Sequence, residues 1–122
     1  MLIAGPTGEV KEISAGGPPL GILANANFPE ERHACLGCGV LMFTDGLMEA
    51  LNLKGDLLGL DKIKAELASA TRCGESNEAT KLRFVRLLET FQQGAPPADD
   101  TAFIVIVTKK TIANVKENPH RR

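Results

Sequence analysis

Apolar residues along the chain fall in short blocks punctuated by glycine, proline and small polar residues, and these blocks predict the elements. Leu2 to Ala4 and Val10 to Ile13 read as strands, joined at Gly5-Pro6-Thr7-Gly8 by residues that suit a tight turn. From Ser14 to Gly21, two prolines that cannot donate to a ladder and three glycines that permit unusual φ predict an ordered loop. Ile22 to Ala24 extends briefly after it. His33 to Leu36 and Val40 to Thr44 read as a second antiparallel pair, with Gly37 and Gly39 placed to make the reversal.

The pattern then changes period. Leu47, Met48, Ala50 and Leu51 have helical spacing, and another helix begins near Asp61 with Ile63 and Leu67 stacked one turn apart. The clearest helix runs from an N-cap at about Ser76 to Gln93. Its stripe is Phe84, Leu87, Leu88 and Phe91, and Gly94 is its stop. Beyond the proline-rich link Ala95-Pro96-Pro97-Ala98, Asp99-Asp100 leads directly into Thr101 to Val107. So apolar a run predicts a central strand covered on both faces.

Composition limits what such a chain can be. Its 122 residues fit one domain, and 43% apolar with 24% charged residues is ordinary for a folded globular chain. No apolar run approaches the ~20 residues of a membrane span, and the N-terminal stretch lacks the basic and apolar regions of a signal peptide, so a cytoplasmic protein without membrane contact is expected. A net charge of −1 argues against nucleic-acid binding, although a basic tail from Lys109 to Arg122, read as frayed and solvated, gathers most of the late positive charge.

Three cysteines make an incomplete disulfide framework and fit a reducing compartment. Cys35-Leu36-Gly37-Cys38 matches C-x-x-C, which leaves structural, redox and zinc readings open. The redox reading wants the motif at a helix N-terminus, where the dipole lowers a thiol pKa. Here it precedes an apolar strand, which favours the structural reading.

Acids abut apolar strands at two places, Asp45 and the pair Asp99-Asp100. A carboxylate at a strand end sits on a rigid element yet reaches solvent, an arrangement that suits hard divalent cations if the fold brings the strand ends together. Each acid also has a plainer reading: Asp45 as the N-cap of the helix near Leu47, and the pair as turn residues.

Taken in order, Gly16-Gly17-Pro18-Pro19-Leu20-Gly21, then Leu41-Met42-Phe43-Thr44-Asp45-Gly46-Leu47-Met48-Glu49-Ala50, then Asp99-Asp100 before an apolar strand, the chain resembles the C-terminal portion of the bacterial metal-dependent PPM-type serine/threonine phosphatases, in their stage II sporulation E-like branch. The resemblance covers residues 1–108. It implies an α+β fold, an antiparallel β-sandwich flanked by helices, with a two-metal Mn²⁺ or Mg²⁺ centre at one end of the sheets. Asp45 and Asp99 match metal-ligand positions, Asp100 matches a neighbour that orients ligands or water, and Gly46 would let the backbone turn closely around the ion.

The implied chemistry is hydrolysis of phosphoserine or phosphothreonine, on an anti-sigma-factor antagonist or similar regulator, by a metal-activated water. No protein nucleophile is then needed, in keeping with the absence of a cysteine-phosphatase Cys-x5-Arg arrangement. Gly39-Val40 stands where the family tends to have Gly-Asp, and residues 1 to 44 carry none of the family's early acidic ligands. The chain is therefore expected to be the latter part of a phosphatase domain, weak in metal binding and activity by itself, and to self-associate over exposed sheet. The alternative is a non-catalytic interaction module on the same fold.

Overall fold

A computed structural model describes residues 1–14 and 16–109. Four strands, β1 (Leu2–Ala4), β2 (Val10–Glu12), β3 (Gly39–Phe43) and β4 (Phe103–Val107), form one antiparallel sheet in the order β2-β1-β3-β4. Three helices, α1 (Asp45–Met48), α2 (Leu60–Arg72) and α3 (Asn77–Gln92), complete an α+β architecture. Of the expected basic tail, all but Lys109 lies outside the described residues.

The hairpin forms where the turn residues placed it. Gly5 N–H donates to the Glu9 carbonyl at 2.8 Å, and β1 pairs with β2 from Leu2↔Glu12 to Ala4↔Val10. The second expected hairpin does not form. β3 has only two edges: β1 takes one, through Leu2↔Leu41, and β4 takes the other, through Leu41↔Val105, which leaves none for His33 to Leu36. Ile22 to Ala24 likewise lies among turns rather than in a strand.

Gly37, with φ of 67°, makes the bend before β3, whereas Gly39 is the first residue of the strand itself. What Gly39 provides is room, because a Cβ there would lie 2.4 Å from Thr71 Oγ1 on α2. That hydroxyl is already turned back to donate to the Leu67 carbonyl at 2.8 Å.

Strand periodicity divides the sheet into two unlike faces. Leu2, Ala4, Leu41 and Val105 point toward the helices, where Ile63 and Leu67 of α2 and Phe84 of α3 are fully buried against them. Phe84 meets the Phe103 ring at 5.9 Å between centroids and 56° between planes, a tilted packing that aromatic quadrupoles favour. Leu87, Leu88 and Phe91 pack half-buried around the same core.

Ser76 caps α3 as its sequence predicts: its Oγ accepts from Ala79 N–H at 3.1 Å. The helix stops where Gln93 and then Gly94 take left-handed backbone. Arg83 ties α3 to its surroundings, donating from Nη1 to Glu66 of α2 at 3.0 Å and from Nε to Glu75 at 3.1 Å.

The other face carries Ile3, Val40, Met42, Ile104 and Ile106. It is open among the described residues: Ile104 is 58% and Ile106 43% exposed. β4 is therefore an edge strand with one face covered, not the central strand its composition predicts. Its apolar run reflects this second apolar face rather than burial on both sides. The described residues likewise form a single sheet, not the two of a sandwich.

On the free edge of β4, Phe103, Val105 and Val107 turn their backbone groups away from β3, as the antiparallel alternation requires. The Val107 N–H donates to Asn77 Oδ1 at 2.6 Å, so the first residue of α3 closes one end of that edge. No helix among the described residues is long and apolar enough to cross a membrane.

Phe84 is the largest fully buried side chain and joins α3 to both α2 and β4. Phe84→Ala is expected to cost about 3–5 kcal/mol of stability, read as a lowered urea midpoint at unchanged slope.

Candidate functional site

Thr44 follows the last residue of β3, and its extended backbone (φ −85°, ψ 162°) starts α1. It is the N-cap of that helix by position, yet its side chain makes no capping bond. The hydroxyl reaches across to the segment before β4 instead. There it accepts from Ala102 N–H at 3.1 Å and shares its hydrogen between the carbonyls of Asp100 at 3.4 Å and Ala102 at 3.3 Å. Thr44 N–H also donates to the Ala102 carbonyl at 3.0 Å. One residue thus holds the β3–α1 junction against residues 100–102 through backbone and side chain together.

Gly46 makes the approach possible. It is buried in α1, and a Cβ at this position would lie 2.1 Å from the Asp100 carbonyl oxygen and 2.8 Å from its carbon. Because those atoms are backbone, a rotamer change could not relieve the overlap. Glycine is required here by the neighbouring strand entry rather than by a left-handed φ.

The two loops bring the three expected acids to one end of the β3–β4 pair. Asp45, first residue of α1, is exposed and makes no side-chain hydrogen bond or ion pair among the described residues. The reading of Asp45 as N-cap is corrected: the cap position is Thr44, one residue earlier, and the Asp45 carboxylate is left for solvent or a ligand. Asp99 is exposed, and its Oδ1 accepts from Asp100 N–H at 2.7 Å. Ala98 and Asp99 form a bend rather than the expected hydrogen-bonded turn, and the bond leaves Asp99 Oδ2 without a partner among the described residues. Asp100 contributes its main chain to the junction through the carbonyl that faces Gly46 and Thr44.

Thr44 is the residue that sequence reasoning passed over. Its signal is an N-cap type of residue directly before Asp-Gly, where the aspartate reads as the cap instead.

The donor set has a definite chemical character. Carboxylate oxygens on one exposed rim are hard ligands, and Mg²⁺ is commonly held by one or two carboxylates with waters and substrate phosphates completing its shell. The rim fits that mode. It does not by itself make a full cage, because no group of three or more His, Cys, Asp or Glu side chains among the described residues is arranged to hold a metal ion.

The C-x-x-C segment lies at the other end of β3 and does not reach this rim. All three cysteines are free thiols. Burial first, and then the neighbouring Cys35, push the Cys38 thiol up to about 11, the opposite of a thiol activated by a helix dipole.

A family model described as Stage II sporulation protein E (SpoIIE) matches residues 1–109. No curated protein and no solved structure matches the chain.

Gly46→Ala is expected to force the Asp100 carbonyl away and open the junction, at a cost of roughly 1–3 kcal/mol. The check is amide hydrogen exchange: Thr44 and Ala102 should exchange faster, while amides of the β1–β3 pairing at Leu2 and Leu41 keep their protection.

Proposed function

The chain belongs to the stage II sporulation protein E family, and on that premise we propose that it is a metal-dependent serine/threonine protein phosphatase domain whose metal ligands include Asp45 and Asp99. The observation that carries this reading is the convergence of two loops distant in sequence, locked by Thr44 and Gly46, with exposed carboxylates on both. Neither acid is consumed by an ion pair among the described residues.

Mn²⁺ or Mg²⁺ bound there would supply a water of lowered pKa and positive charge to oppose that of the transferring phosphoryl group. The residues of the chain do the positioning. Asp45, at the start of a helix fixed to β3, presents its carboxylate from a rigid base. Asp99 is held by its bond to the Asp100 amide, so that one oxygen is engaged and the other has no partner among the described residues. Thr44 keeps the two acids in register by joining their loops, and Gly46 sets how closely those loops approach. The substrate in this reading is a phosphoserine or phosphothreonine on a regulator protein, such as an anti-sigma-factor antagonist.

A two-carboxylate rim implies weak metal binding and slow turnover. Because the described residues hold no three-ligand cluster, a second reading stands beside the first: an interaction module on the same fold that binds no metal. Calorimetric Mn²⁺ titration separates them. The phosphatase reading expects weak saturable binding that falls by about tenfold or more in Asp45→Asn. Indistinguishable titrations of variant and wild type would favour the interaction module.

The same reading has a second copy of the chain cover the open sheet face. Three strand spacings across and one five-residue strand along, that face measures roughly 250 Å², well below the ~800 Å² per partner of a stable interface. Self-association is therefore expected to be weak and concentration-dependent. In sedimentation velocity the wild type should gain mass on concentration, and Ile104→Lys should remain monomeric. A wild type that stays monomeric throughout would remove self-association from the proposal.

A further inference from the structure

The Cys35-Leu36-Gly37-Cys38 bend is unused by the acidic rim, and it combines a fixed thiol with one that can approach it. Cys38 is anchored through its main chain: its N–H donates to Thr108 Oγ1 at 2.9 Å, and its carbonyl accepts from Thr108 N–H at 2.9 Å. Gly37 N–H reaches the Lys109 carbonyl at 3.3 Å. Cys35 has no such tether, since residues 26–35 contain no helix, strand or turn and the Cys35 side chain is only half-buried.

Between the two cysteines, the left-handed Gly37 folds the chain back, and the Cys38 thiol turns toward the bend, its Sγ lying 3.9 Å from the Leu36 carbonyl. Leu36 and Gly37 bend the chain between the two cysteines, and Cys35 lies near enough to raise the Cys38 thiol directly, so the two side chains are neighbours in the reduced protein. Cys38 also lines a groove with Ile3, Glu9, Lys11 and His33, but its sulfur is buried, so it reacts second, after the half-buried Cys35.

We propose that Cys35 and Cys38 form a dithiol that is oxidised to an intramolecular disulfide by exchange with a low-molecular-weight disulfide. In the first step the Cys35 thiol loses its proton to solvent and its sulfur attacks one sulfur of the oxidant. The oxidant's S–S bond breaks, and one small thiolate departs. In the second step Cys38 loses its proton and attacks the Cys35 sulfur of the mixed disulfide, releasing the second small thiolate. The protein loses two hydrogens and two electrons, and the oxidant becomes two thiols.

Burial, the neighbouring Cys35 and the Glu9 charge all oppose the Cys38 thiolate, so the half-buried Cys35 is the thiol that meets the oxidant first.

The experiment treats the intact native chain with glutathione disulfide and follows it by mass and peptide mapping. Cys73, which is exposed, serves as the internal standard for a thiol that can only form a mixed disulfide. The wild type is expected to lose two hydrogens in a Cys35–Cys38 link with no glutathione retained on either residue. Cys38→Ser, and Cys38→Ala as a second variant, should stop at a glutathione adduct on Cys35, whereas Cys35→Ser should leave Cys38 unmodified. A wild type that keeps glutathione on Cys35, or keeps both thiols free once Cys73 has reacted, would overturn the proposal.

Discussion

The contact on which the rest of this structure depends is the close approach of two main chains at Gly46. Residues 99–102 enter β4 by crossing the first turn of α1, and no side chain other than hydrogen fits between them. The Thr44 hydroxyl then locks the crossing with bonds to Asp100 and Ala102 on the opposite segment. The energy of this contact is modest, since neutral hydrogen bonds of this kind contribute about 1 kcal/mol each. Its importance is geometric. Segments more than fifty positions apart meet at this point only because glycine removes the obstacle and threonine holds what remains.

Much of this was legible in the chain. Asp45 and Asp99 stand out as acids at strand ends, and the ordered motifs around them carry the family resemblance that the match over residues 1–109 bears out. The Ser76 cap, the Phe84 stripe and the Gly5 to Gly8 turn could be read because each rests on local chemistry within one turn or one hairpin. What stayed hidden was tertiary. An apolar run such as Phe103 to Val107 reads the same whether both faces are covered or one lies open, and only the strand order shows which. Gly39 reads as a turn residue because nothing in its own neighbourhood records the Thr71 side chain packed above it. Asp45 reads as a cap because the competing demand on Thr44 comes from across the sheet.

The two ends of β3 carry unlike chemistry for a reason that lies in the strand itself. Its Leu41 is fully buried and its Gly39 lies under α2, so the strand is held firmly by the core. Groups at its termini inherit that rigidity: a charged rim in solvent at the Asp45 end, and a thiol held away from water at the Cys38 end. The core fixes both sites without contributing an atom to either.

The free edge of β4 has a consequence of its own. At the Val107 end the outward N–H is occupied by Asn77, so another chain could extend the ladder there only by evicting that amide. At the opposite end Phe103 follows closely on Asp99 and Asp100, whose charges would be brought toward those of any like strand stacking alongside. The acids of the rim thereby act as gatekeepers against fibrillar growth along an otherwise uncharged, β-branched segment.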